Sequence, residues 1–403
     1  MAYMHFSSGN IGWAVRKNLE AAICWKNVTA FQNALLCSIN GFLDLPDKME
    51  IRRSHERINT FYGDLRVAHA PFYHAPNSEN TRIRVGLVSG DFGHHVVFSF
   101  IIGFLQEFDA SKFELTCYME SPADGLGLAR PRKTDIRYRN IYGLPAYEAA
   151  TLINSDGIDI LLDLSGHTGK NRLDVFALRP ARAQVSYLGY PFSTGLDEMD
   201  FRITDAHCDC ATVSQPFYRE RLMFVKDCFL CFDPAFLMDG ARPTISAPPI
   251  LSYSEKEPTG ADMPILTIGC FGRADKLSGA TVLFYNDILL RNPRVRIAMK
   301  SRGFRTVAAR QMFLARMVES VRDRVFFFDY SATYKEHLAS YNRVDVSIDT
   351  FPYSGTTTCC DSLLMGTEMF TLRDETHYFH AHNVASSILR NVHADMEFFV
   401  LRD

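Results

Sequence analysis

The segment 349–366, DTFPYSGTTTCCDSLLMG, runs from a strand end through a turn into a helix start, and it carries the residues best suited to chemistry. Gly355 permits a close backbone approach, and Thr356, Thr357 and Thr358 set three hydroxyls beside the free N–H groups of a first helical turn. Such a terminus carries about half a positive charge and attracts phosphate. Asp361 lies one turn beyond Thr357 and shares its face. A carboxylate there repels phosphate at contact distance, so its expected ligands are the neutral hydroxyls of a ribose. Ordinary helix capping accounts for the same residues.

Further polar residues follow other strand-like runs. Lys276, in FGRADKLS after ILTIGCFG, is placed to neutralise a departing diphosphate, whose charge grows in a transition state. His94 and His95 follow RIRVGLVSG, and a histidine there can serve an acceptor hydroxyl as base or hydrogen-bond a donor. His167 follows IDILLDLSG and His337 lies inside YKEHLASY. A lysine or histidine at such a place is equally an ordinary surface residue, and it is the shared location that raises them together. His377, His380 and His382 lack a carboxylate at metal-binding spacing, and Cys208, Cys210, Cys228 and Cys231 sit in apolar surroundings, so no metal site is expected. Neither GxxxxGK[ST] nor GxGxxG occurs, which excludes the P-loop and dinucleotide fingerprints.

The elements that position these residues alternate. From about residue 79 short apolar strands alternate with amphipathic helices: a strand at 82–90, a continuous helix VVFSFIIGFLQEF, a strand at 113–120, and a buried strand within 158–166. A helix in 171–180 stops at Pro180, and AQVSYLGYP, DFRITD and RLMFVKD give further strands. The stretch 239–264, rich in Pro, Ser and Gly, reads as a linker, after which the alternation restarts and runs through 265–403. The expected class is α/β, two Rossmann-like doubly wound domains facing a cleft, at 79–238 and 265–403, with a helical segment at 1–78 in which Trp25 and Leu36 are core residues. Open parallel sheets bind ligands beyond the carboxyl ends of their strands, which is where the residues above fall.

Composition narrows the function. A formal net charge of -3 over 403 residues, with 47% hydrophobic and 22% charged residues, describes a folded chain without a basic nucleic-acid surface. The first residues lack the pattern of a secretory signal, and the longest apolar run, VVFSFIIGFL, is about half of the roughly 20 residues a bilayer span needs. A cytoplasmic or nuclear protein without membrane or nucleic-acid partners is expected.

Together the segments VSGDFGHH, DGIDILLDLSGHTGKNRLDVFALRPARAQVSYLGYPFSTGL, DFRITD, IGCFGRADKLS and DVSIDTFPYSGTTTCCDSLLMGT, with HAHNVA after them, resemble glycosyltransferase family 41, the O-GlcNAc transferase and SPINDLY family. The resemblance implies a GT-B fold and metal-independent, inverting transfer of a sugar from a nucleotide donor to Ser or Thr of intracellular proteins, with no cofactor. By position it implies that His95 or Asp156 is the base, that Lys276 meets the diphosphate, and that His337 lies near the nucleobase or ribose. Thr356, Thr357 and Thr358 match phosphate-binding threonines, Asp361 the ribose-binding acid, and the loop from Gly189 through Pro191 the support beneath the transferred sugar. The implied donor is UDP-GlcNAc, alternatively GDP-fucose, since Ser340 and Thr356 stand where animal members of the family place arginine and histidine. Family members carry tetratricopeptide repeats ahead of this region, and no 34-residue period is found here. An ending at Asp403 is expected to leave the second domain incompletely packed, and a truncated, inactive nucleotide-sugar binder is the further alternative.

Overall fold

The computed structural model describes residues 19–42, 47–74, 82–93, 95–122, 136–238, 244–246 and 265–392. His94, most of the expected linker 239–264 and the ends 1–18 and 393–403 lie outside the described residues. The chain divides into two compact units, Met1–Phe236 and Leu237–Asp403.

In the first unit seven parallel strands form one sheet: β1 (Ile83–Ser89), β2 (Phe113–Met119), β3 (Ile136–Asn140), β4 (Ile160–Asp163), β5 (Ala183–Ser186), β6 (Phe201–Asp205) and β7 (Arg221–Val225). Their order is β3-β2-β1-β4-β5-β6-β7. Winding runs outward from β1 in one direction and from β4 in the other, so the chain reverses between these two central strands. The core on one side gathers Leu87 and Leu115 from the sheet with Phe98, Ile102 and Leu105 from the connection between β1 and β2. That connection is a 3-10 turn, Val96–Phe100, followed by a short helix, Ile102–Glu107, in place of the continuous helix expected. Two valines and two phenylalanines lose side-chain freedom in a regular helix, which weakens its first turns.

Among the described helices that precede the sheet are α1 (Val28–Phe42), α2 (Met49–Glu56) and α3 (Asn59–Ala68). They pack within the first unit on loops of the sheet: Gln32 and Asn171 exchange amide hydrogen bonds at 2.9 and 3.0 Å, and Arg66 meets Glu198 at 2.6 Å. Trp25, expected in the core, is 82% exposed, and Leu35 is the buried residue where Leu36 was expected; Leu36 is half-buried. One residue of helical rotation, about 100°, is enough to move the apolar stripe from one to the other.

The second unit repeats the plan with five parallel strands: β8 (Leu266–Cys270), β9 (Val295–Met299), β10 (Val325–Phe327), β11 (Val346–Ile348) and β12 (Glu368–Phe370). Their order is β10-β9-β8-β11-β12, again with a reversal, here between β8 and β11. The helices that matter to the site are α4 (Tyr334–Ala339), before β11, and α5 (Thr357–Leu364), after it. One face of this sheet carries Ile268, Ile297 and Ile348 against Tyr285 and Phe313; the other packs Phe271, Leu338, Tyr341 and Met365. Burial on both faces is what the continuous apolar strand sequences require.

Candidate active site

At the reversal of the second sheet, the loop after β8 carries Lys276 and the loop after β11 leads into α5. Lys276 is only 9% exposed, donates to the carbonyl of Ser354 at 2.7 Å, and holds its ammonium 3.7 Å from the centre of the Tyr353 ring. Burial pulls its pKa down to about 8, opposed by the nearby carboxylate of Asp349. Asp349 is itself pushed up to about 6 by burial. It accepts from the amides of Thr350 at 2.8 Å and Gly355 at 2.7 Å and from the Thr371 hydroxyl at 2.9 Å, so it fixes both ends of the turn 350–355. A Cβ on Gly355 would lie 3.0 Å from the Asp349 carboxylate and against the Thr358 hydroxyl, which is why that turn takes a glycine.

Helix α5 starts without a side-chain cap. Among the described residues the amides of Thr356, Thr357 and Thr358 have no acceptor, so the capping alternative fails and an open, positively polarised helix end points out of the turn. Within the same helix Asp361 is 2% exposed, accepts a hydrogen bond from the Tyr334 hydroxyl and lies 3.4 Å from His337 Nε2. The capping box of α4, Thr333 with Glu336, sets the helix that presents both Tyr334 and His337. The structure thus brings together Lys276, the three threonines, Asp361 and His337 around one strand edge.

In the first unit the corresponding reversal lies between β1 and β4. His95 caps the 3-10 turn, its Nδ1 3.3 Å from the Val97 amide and 3.4 Å from Asp91 Oδ2, with its side chain half exposed. The Val97 contact uses the Nδ1 lone pair and leaves the ring proton on Nε2; in the other tautomer, with Nδ1–H turned to Asp91 and the cap released, Nε2 has the lone pair that can accept a proton. After β4, His167 is buried and donates from Nε2 to the Thr194 carbonyl at 2.8 Å; burial lowers its pKa to about 3, so it is neutral. Among the described residues its Nδ1 and the hydroxyl of Ser165 are buried without a partner.

Loop 189–196 is clamped from several sides. Gly189 lies directly on the backbone after β4: a Cβ there would meet the Leu164 carbonyl and come within 2.9 Å of Ser165 Cα. Arg202, fully buried, donates to the carbonyls of Phe192 and Tyr190 at 2.9 Å each. Buried Glu220 accepts from the amide of Thr194 at 2.6 Å and from the hydroxyls of Ser193 and Thr194. His55 of α2 accepts the Tyr190 hydroxyl at 2.9 Å and donates to the Ile51 carbonyl, a neutral role that fits a pKa lowered by burial to about 4. Pro191 sits within this loop, half-buried.

Asp156 is placed elsewhere. It ends the helix Ala146–Ser155 just before β4 begins, at the amino edge of the strands, whereas His95 lies beyond their carboxyl edge. There it accepts from Tyr118 and Arg139 at 2.8 Å each and lines a cavity of about 250 Å³ with Arg82, Arg84 and Arg137. Asp156 and His95 therefore stand at opposite edges of the same sheet. Three contributors had no signal in motif spacing: Tyr334, which shares Asp361 with His337, and Arg202 and Glu220, which hold loop 189–196. A buried arginine and a buried glutamate read as surface residues in a linear sequence.

Residues 50–243 match the family model described as Glycosyl transferase family 41. A protein of Oryza sativa subsp. japonica described as probable UDP-N-acetylglucosamine--peptide N-acetylglucosaminyltransferase SPINDLY is 33% identical over 323 residues, 79% of this chain and 33% of that one. Its Arabidopsis thaliana counterpart is 33% identical over 316 residues, 77% of this chain and 33% of that one. A solved structure of a mutant O-GlcNAc transferase from Thermobaculum terrenum matches with a TM-score of 0.74 at 27% identity, covering 96% of this chain and 70% of that chain. The chain spans about a third of the length of the curated relatives it matches.

Proposed function

From the membership of this chain in glycosyltransferase family 41 we propose that it is the catalytic region of a protein O-glycosyltransferase, moving N-acetylglucosamine from UDP-GlcNAc to Ser or Thr hydroxyls of protein acceptors. The observation that carries this reading is the uncapped start of α5 beside buried Lys276, with Asp361 one turn further on. The two phosphates fit the helix end and the lysine, and the ribose hydroxyls fit Asp361 and His337. Polar atoms on loop 189–196, fixed by Arg202 and Glu220, support the sugar in this reading.

In the transfer step the acceptor hydroxyl oxygen attacks the anomeric carbon while its proton passes to a base, the role that the family resemblance implies for His95. The bond from the anomeric carbon to the β-phosphate oxygen breaks and its electron pair leaves with UDP. Attack opposite the leaving group inverts the configuration. Lys276 and the α5 amides receive the charge that accumulates on the departing diphosphate, the contribution a divalent ion makes in other transferases. Turnover is therefore expected to persist in a chelator. No helix among the described residues is long and apolar enough to cross a membrane.

The decisive experiment incubates the protein with UDP-GlcNAc or with GDP-fucose and a mixture of Ser/Thr peptides, and weighs the products. A gain of one N-acetylhexosamine residue supports the proposal, a gain of one deoxyhexose transfers it to the other donor, and no gain with either, in a protein that binds UDP, marks a non-transferring binder.

A further inference from the structure

A second buried lysine stands near the first. Lys300 follows β9, which lies next to β8 in the sheet, and its own amide donates to the Cys270 carbonyl at the end of β8. The side chain is 6% exposed. Its ammonium donates to the hydroxyls of Ser331 at 2.5 Å and Ser340 at 2.6 Å, and the Ser340 hydroxyl in turn donates a hydrogen bond to the Glu336 carbonyl at 3.1 Å. Two of the three donors are spent on neutral groups. Among the described residues no carboxylate forms an ion pair with Lys300; Glu336 acts only at longer range, and the Arg343 cation opposes it. A buried cation with neutral partners and a cationic neighbour is costly unless something with a lone pair completes its shell.

The direction of that missing partner follows from α4. Ser340 lies three residues beyond His337, on the same side of the helix, and His337 meets Asp361. A row therefore runs from the α5 amides through Asp361, His337 and Ser340 to Lys300. If phosphate occupies one end and ribose the next position, as in the function proposed above and on which this inference rests, the nucleobase reaches the other end.

We propose that Lys300, held by Ser331 and Ser340, reads the exocyclic carbonyl of the nucleobase and makes the site selective for keto-base nucleoside diphosphates over amino-base ones. Uracil presents O4 and guanine O6 at the edge remote from the sugar, and both accept a hydrogen bond; cytosine and adenine present an amino group there, whose hydrogens oppose an ammonium. A site built to donate to one group rejects the analogue that cannot accept, because its own buried donor is left unpaired.

The test is calorimetric binding of UDP, GDP, CDP and ADP to the full chain and to Lys300→Met and Lys300→Gln, each variant first checked by thermal unfolding. The wild-type chain is expected to bind UDP or GDP at least about tenfold more tightly than CDP and ADP. Lys300→Met is expected to lose that factor for the keto nucleotides while leaving CDP and ADP within about twofold, collapsing the ratio. Lys300→Gln, which offers both a donor and an acceptor, is expected to lie between the two and serves if the methionine variant does not fold. Equal binding of all four by the wild type, or an equal loss for all four in both variants, overturns the assignment and leaves the donor site standing. Absence of binding for every nucleotide overturns the donor site and this inference together.

Discussion

Raising the pH through 8 is expected to weaken nucleoside diphosphate binding, because burial leaves Lys276 with a pKa of about 8 and the diphosphate binds its charged form. The protonated fraction falls from about three quarters at pH 7.5 to about 3% at pH 9.5, a loss of about 25-fold in affinity, or ~1.9 kcal/mol. The terminal phosphate gives up its own last proton near pH 6, so its charge is constant across this window. Lys300 also titrates at about 8, and if it reads the base it adds a second proton to the dependence. Calorimetry of UDP binding between pH 7.5 and 9.5, in buffers of different ionisation enthalpy, counts the protons taken up. Lys276→Arg keeps its charge throughout and is expected to lower the slope of log Kd against pH by one unit. An unchanged slope in that variant refutes the argument. In the free protein the same lysine acts with the opposite sign. Its ordinary pKa is 10.5, so the unfolded chain binds more protons between about 8 and 10.5, and stability rises with pH there while affinity falls.

Asp361→Ala removes the acceptor shared by Tyr334 and His337 and is expected to cost about 2 kcal/mol of UDP binding, roughly 30-fold, by the same calorimetry. His95→Ala is expected to lower turnover by about 10²–10⁴ with little change in UDP affinity, measured by initial rates beside binding. Asp156→Asn, at the far edge of the sheet, is expected to leave turnover within a few-fold and to show its effect in thermal unfolding through Tyr118 and Arg139; a collapse of turnover without loss of stability would return it to the reaction. Glu220→Ala strands the Thr194 amide and two hydroxyls in a buried site and is expected to destabilise the first unit by about 3 kcal/mol, read from denaturant unfolding.

Much of the fold is legible because its signals are local. Runs such as RIRVGLVSG and VRIAMKS are continuous and apolar, and each falls on a strand; the polar residues after them mark the functional edges. Strand β3, IRYRN, carries no clear signal because it is an edge strand with one buried residue in five, and β12 carries none because three residues, EMF, show no period. Lys276, Asp361, His337 and the threonines could be found since each follows a strand or opens a helix. Arg202 and Glu220 could not, because their partners are backbone groups and hydroxyls 10 to 27 residues away, and nothing in DFRITD or RERL distinguishes a clamp from a solvated charge. For Asp156, positional correspondence supplies a residue but not the edge of the sheet on which it stands.

The clamp on loop 189–196 bears on how the first unit exchanges its amide hydrogens. Asn59 of α3 donates to the Gly195 carbonyl at 2.8 Å, His55 of α2 holds Tyr190, and the Thr194 amide ends on Glu220, just before β7. Helices before the sheet and the last strand of the sheet are therefore tied through one short loop. Opening that loop alone would expose Arg202 and Glu220 without partners, so its amides should exchange with deuterium only when the unit opens as a whole. A cut or destabilising change in the leading helices would then be felt first as faster exchange at Thr194 and Gly195, far along the chain from the lesion.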